Sequence, residues 1–120
     1  MDKITVNGIV YVPESEVALK KAEELDGMAY CMVRTYSAGV FAGYVESKNG
    51  KEIVLRKARR IWKWSGAASL SQLAMDGTSD PDNCKFPCEV DRVTLTEAIE
   101  IIEMTEKAKE SIGGVAVWVE

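Results

Sequence analysis

The sequence contains no histidine, only three cysteines and three prolines, and no apolar run of membrane-spanning length. The missing histidine removes Ser-His-Asp and Cys-His catalysis, His-bound zinc and the commonest general base near neutral pH. Carboxylate and lysine chemistry stay open. The cysteines (Cys31, Cys84 and Cys88) are odd in number. The chain starts Met1-Asp2-Lys3-Ile4, with no basic segment leading into an apolar one, so free thiols are expected rather than a disulfide framework. Cys84 and Cys88 have C-x3-C spacing, but with Cys31 they make at most three ligands where zinc wants four, so no metal is expected. No apolar run approaches the roughly 18–20 residues that a bilayer requires. A cytoplasmic chain without membrane attachment is therefore expected. Gly39, Gly43 and Gly66 form neither G-x-G-x-x-G nor a P-loop, so nucleoside triphosphate turnover has no support.

What is present is the material of one ordinary globular domain covering residues 1–120. The apolar fraction of 47% is high enough to offset chain entropy, which argues against disorder. Net charge is −4 but uneven: between Lys51 and Trp64 six cations oppose Glu52 alone, a local +5, so the rest of the chain carries −9. A cationic stripe on an acidic protein suits a defined anionic partner better than duplex DNA, and no DNA partner is expected.

Local patterns predict an α+β domain: a largely antiparallel β-sheet with two or three short helices. Asn7-Gly8 between two β-rich triplets reads as a hairpin turn. Ser15 is placed to cap a helix reaching about Asp26, with Gly27 as terminator. Residues 28–56 read as a meander turning at Gly39 and at Asn49-Gly50. Their weak polar–apolar alternation predicts strands covered on both faces or buried in an oligomer. The pattern breaks from Arg56 to Gly66. Leu70, Leu73 and Ala74 then mark a short helix ended by Gly77. Residues 76–87 read as a mobile loop. A strand is predicted from Val90 to about Met104, a helix capped by Thr105 and running through Ile112, and a closing strand over 115–119.

Chemistry concentrates in Ala58-Arg59-Arg60-Ile61-Trp62-Lys63-Trp64-Ser65-Gly66-Ala67. Guanidinium groups bind phosphate bidentately and indoles stack on bases. Ser65 and the Gly66 amide, just before a helix, add short donors. Trp62 and Trp64 equally suit the core face of a strand, with the arginines pointing outward. Arg34-Thr35-Tyr36-Ser37-Ala38-Gly39 is a second polar cluster, suited to an anion or a ribose. The acids Glu97, Glu100, Glu103, Glu106 and Glu110 recur as a solvated face would, so paired-carboxylate hydrolysis is disfavoured.

Taken in order, Arg34-Thr35-Tyr36-Ser37-Ala38-Gly39-Val40-Phe41-Ala42-Gly43-Tyr44, the tryptophan segment above, Leu95-Thr96-Glu97-Ala98-Ile99-Glu100-Ile101-Ile102 and residues 115–118 resemble a family of small phage and prophage proteins, the first Thoeris anti-defence protein family. The resemblance covers most of 28–119. It implies a sponge rather than an enzyme. Such a protein sequesters intact the cyclic ADP-ribose isomer (glycocyclic ADP-ribose) made during bacterial Thoeris immunity, and some members are linked with cyclic oligonucleotide signals. It further implies action in the cytoplasm of the infected host, no cofactor, and homodimers building to larger homo-oligomers such as a hexamer, with ligand sites between subunits. The matched motifs supply the expected ligand residues Arg34, Tyr36, Phe41, Arg59, Arg60, Trp62, Trp64 and Ser65. The 76–88 loop adds Phe86 or Asn83, and a neighbouring subunit adds Lys107 and Lys109. The rival readings are an enzyme that cleaves the same signal and a small protein- or nucleic-acid-binding module. Alanine at Arg59 or Arg60 is expected to weaken binding without unfolding the chain.

Overall fold

The computed structural model describes residues 20–119 fully, together with the backbone of 4–6 and 9–11. β1 (Ile4–Val6) and β2 (Ile9–Tyr11) pair antiparallel with Val6 opposite Ile9, the register a two-residue Asn7-Gly8 turn requires. The turn itself lies outside the described residues, as does the part of the helix expected from Ser15 that precedes residue 20. The remainder of that helix is corrected: residues 20–26 are not helical. The Ala22 amide donates to Met104 O, Lys21 bridges Thr105, and Leu25 and Met28 close a turn over Asp26 and Gly27, both at positive φ. Tertiary backbone pairing takes the donors that a helix would have used.

The main sheet runs β6-β5-β4-β3-β7, antiparallel throughout. It comprises β3 (Tyr30–Thr35), β4 (Val40–Asn49), β5 (Glu52–Arg60), β6 (Val90–Leu95) and β7 (Ala98–Glu103). Gly39 (φ +91) and Gly50 (φ +62) make its two tight turns. The sheet curls strongly. Leu95, ending β6, pairs with Ile53 on one edge, while Ala98, starting β7, pairs with Thr35 on the other. Only Thr96 and Glu97 span the two edges, so the single strand expected from 90 to 104 is in fact two. β5 also continues to Arg60, through the expected break at Arg56.

Curling gives two apolar clusters, which is why the strands lack clean alternation. Val33, Phe41, Ile53, Leu55, Ala58 and Leu95 fill the inside of the curl. On the other face Met32, Ala42, Ile61, Leu73, Phe86, Met104 and Ile112 pack beneath two helices. Burying a side chain such as Phe86 or Met32 contributes about 1.5–3 kcal/mol. α1 (Leu70–Asp76) starts where Ser69 Oγ accepts from the Gln72 amide and ends where Gly77 N–H donates to Leu73 O. α2 (Glu106–Gly113) is capped by Thr105, whose Oγ1 accepts from Ala108 N, as its sequence predicts. The 76–88 loop holds one 3-10 turn (Pro81–Asn83) and is stitched to Ser65 and Gly66 through Thr78, Ser79, Asp80 and Cys84. Residues 115–119 form no strand; a single parallel bridge joins Val117 to Phe86. No helix among the described residues is long and apolar enough to cross a membrane.

Candidate ligand-binding site

A one-residue irregularity in β5 decides which arginine is available. Ala42 opposes Arg59 and Tyr44 opposes Arg56, so Lys57 and Ala58 share the place opposite Gly43. Lys57 takes φ +49, and a Cβ on Gly43 would come within 3.0 Å of Ala58 Cα, the close approach that needs glycine there. Before the bulge, Ile53 and Leu55 face the inside of the curl; after it, Ala58 and Arg60 do. Arg59 is thereby turned to the helix-covered face.

Arg59 is 7% exposed and serves the fold. Its guanidinium donates to Pro87 O (3.0 Å), Ile112 O (2.8 Å), Phe86 O (3.2 Å) and Val115 O (2.7 Å). Burial lowers its pKa, and the Ile112 carbonyl at the C-terminal end of α2 helps to hold the charge. Its assignment to ligand binding is corrected, because four of its five N–H groups are spent inside the chain. Phe86 is corrected for the same reason: it is fully buried against the core and presents no face to a ligand. Phe41 is buried too, but it supports Arg60, whose Cζ lies 4.3 Å from the Phe41 ring centroid and whose Nη1 donates to Ala38 O.

Arg60 and Trp62 line a groove of about 290 Å³ together with Ser37, Gly39 and Val40. A second groove, about 430 Å³, is lined by Lys63, Trp64, Ser65, Asn83, Lys85 and Trp118, with Asp82 and Cys84 completing the wall. The two meet at an aromatic pair: Trp62 and Trp118 are nearly parallel (10°), with ring centroids 6.3 Å apart. Of the two neighbouring tryptophans, Trp62 is 63% exposed, whereas Trp64 packs against the core and only edges the groove.

The larger groove is cationic by construction. Lys63 N donates to Lys85 O (3.2 Å) and Lys85 N to Lys63 O (2.8 Å), a hydrogen-bonded antiparallel pair. Such a pair projects its two side chains from the same side, and like charges directly opposite repel. Both lysines are exposed, and Lys85 Nζ lies 5.4 Å from the Trp118 ring centroid. A bound anion would turn that repulsion into attraction. Ser65 contributes less than its sequence suggested: its Oγ donates to Asp80 Oδ2 (3.0 Å) and its amide to Cys84 Sγ (3.4 Å), so both donors are engaged. The Gly66 carbonyl accepts from the Ser79 hydroxyl (3.0 Å).

The remaining expected residues lie elsewhere. Arg34 pairs with Glu100 across β7 (3.1 Å), Tyr36 is 78% exposed, and neither lines a groove with Trp62. Lys107 faces Asp76 in a separate depression of about 310 Å³. Lys109 sits over the Tyr30 and Tyr44 rings, and a hydrogen bond with Tyr44 raises its pKa. Among the described residues no cluster of cysteines and carboxylates could hold a metal ion. Lys63, Lys85 and Trp118 were absent from the sequence-derived set. The only local signal for them was their chemistry, since the bridge that joins Lys63 to Lys85 and the bond from Trp118 N to Phe86 O each cross more than twenty residues.

Residues 28–112 match a family described as a domain of unknown function, DUF6948. No curated protein and no solved structure matches the chain. The matched segment holds the five-stranded sheet, α1, the bridge between Lys63 and Lys85 and nearly all of α2. By the extent of that match, the chain belongs to the DUF6948 family.

Proposed function

We propose that this protein binds a phosphorylated cyclic nucleotide and sequesters it intact, the ligand being the cyclic ADP-ribose isomer of Thoeris immunity. It would then be a phage anti-defence sponge in the cytoplasm of the infected host. The observation that carries the reading is the Lys63–Lys85 pair, opposed across a hydrogen-bonded bridge beside Trp118. A diphosphate supplies the two negative charges that this pair lacks, and an adenine has the π-face that indoles bind. The resemblance of the Arg34–Tyr44 and Ala58–Ala67 motifs supplies the identity of the signal. Sequestration needs affinity and no transition state, so a chain without histidine loses nothing by it.

Holding a scarce signal takes a dissociation constant near 1–100 nM, or about 10–12 kcal/mol. Two charge-assisted hydrogen bonds give about 1.5–3 kcal/mol each, and one stacked base about 1–3 kcal/mol. An open groove on one chain falls short, the more so after the cost of immobilising the ligand. A second copy covering the groove makes up the difference, which favours a homodimer or a larger homo-oligomer as the binding form.

The test is calorimetric titration of the pure protein with the cyclic ADP-ribose isomer, followed by heating and mass spectrometry of the released ligand. Nanomolar binding with the ligand recovered unchanged is expected. Recovery of a cleaved ligand would make the protein an enzyme, and absence of binding would overturn the assignment of this signal.

A further inference from the structure

Trp62 and Trp118 come from distant parts of the chain, yet their rings are within 10° of parallel at 6.3 Å between centroids, and Trp62 keeps most of its surface exposed. We propose that this pair is the base-recognition platform of the site: a purine base stacks parallel to the indoles while its phosphates reach Lys63 and Lys85. The inference rests on reading the groove as a nucleotide site and adds what selects a nucleotide over a simple anion.

The placement of the pair supports it. Trp62 lines the smaller groove, with Arg60, and Trp118 lines the larger one, with Lys63 and Lys85, so aromatic surface lies between cations on both sides. Both rings are carried by fixed backbone. Trp62 follows buried Ile61, whose amide donates to Val40 O (2.7 Å). Trp118 N donates to Phe86 O (3.0 Å), one residue beyond Lys85, so the second ring and the second ammonium share one mount. A preorganised ring gives up little conformational freedom on binding. Every base has a π-face, and stacking alone therefore separates base-bearing phosphates from base-free ones without reading the base edge.

The experiment titrates the full chain with ADP and, separately, with inorganic pyrophosphate, following tryptophan emission and heat. Wild-type protein, Trp62→Ala, Trp118→Ala and Trp118→Phe are compared. ADP is expected to bind at least tenfold more tightly than pyrophosphate and to quench emission. Trp118→Ala should abolish that preference while leaving pyrophosphate affinity within twofold, and Trp118→Phe should restore most of it. Trp62 is largely exposed, so Trp62→Ala tests the platform even if position 118 proves intolerant. Equal affinity for the two probes, or a preference that survives both alanine variants, overturns the platform. Failure of ADP to bind overturns it too. The cyclic ADP-ribose isomer, titrated in the same series, keeps the readings apart: tight binding with unquenched tryptophan leaves sequestration standing without the platform.

Discussion

Lys63 and Lys85 exchange both backbone hydrogen bonds, at 3.2 and 2.8 Å, and so stand directly opposite one another in an isolated antiparallel bridge. Asp82 lines the same groove, yet among the described residues no carboxylate lies within ion-pair distance of either lysine. The two ammonium groups therefore repel one another locally.

Lys85→Glu should consequently separate stability from function. A carboxylate opposite Lys63 converts repulsion to attraction and should stabilise the free protein by about 0.2–1 kcal/mol. Anion binding should fall at least tenfold. Urea midpoints at low and high salt check this, because the gain should shrink as salt screens it. An unchanged midpoint at low salt would mean that the two ammonium groups are not held together.

Arg59 and Arg60 are neighbours with opposite duties. Arg59→Ala leaves the carbonyls of Phe86, Pro87, Ile112 and Val115 without this donor, a loss of at least about 1–3 kcal/mol. Arg60→Ala forfeits a guanidinium–Phe41 contact worth about 0.5–1 kcal/mol. It should keep the folded circular dichroism spectrum while weakening ligand binding. If Arg59→Ala were as stable as wild type, the four-carbonyl clasp would not form in solution.

The three thiols should differ in reactivity and in their effect on pH stability. Cys88 is exposed and Cys31 and Cys84 are buried, so a thiol reagent should label one cysteine rapidly in native protein and all three in denaturant. Burial pushes the Cys31 thiol from an ordinary 9.0 up to about 11, and burial raises Tyr30 as well. The unfolded chain loses these protons first, so the folded state holds more protons as pH rises. The Cys31 contribution should be flat below about pH 9 and fall between about pH 9 and 11, with the Tyr30 contribution falling above about pH 10. The fall should be shallower in Cys31→Ala.

Lys57 tests the bulge that sorts the arginines. At φ +49 a β-branched side chain is strained, so Lys57→Val should cost about 1–2 kcal/mol. Lys57→Asn, which tolerates that conformation, should be near neutral. Equal urea midpoints for the two variants would place position 57 in ordinary strand geometry.

Much of the fold is legible locally. Gly39 and Gly50 mark the turns of the meander, Ser69 and Gly77 bracket α1, and Thr105 starts α2, because caps and positive-φ turns act over two to four residues. The helix expected over 20–26 and the strand expected over 115–119 failed where a distant partner claimed the backbone: Met104 O took the Ala22 amide, and Phe86 took only Val117 and Trp118. The site was half legible. Arg60 and Trp62 stood out as cation and aromatic in one segment. Lys85 and Trp118 did not, since nothing within a few residues of either shows that they meet.

The class of domain, its turns and caps, the cationic segment and, through the lack of histidine, the chemistry the protein does without are all written along the chain. Those properties depend on composition or on neighbours along the chain. That Arg59 is interior and Arg60 open follows from strand pairing, because one extra residue at Lys57 reverses the faces of the β5 positions after it. Long-range packing likewise sets Lys63 against Lys85 and Trp62 beside Trp118. Their meeting is fixed by how the curled sheet, the 76–88 loop and the C-terminal segment pack, and no local residue preference encodes it.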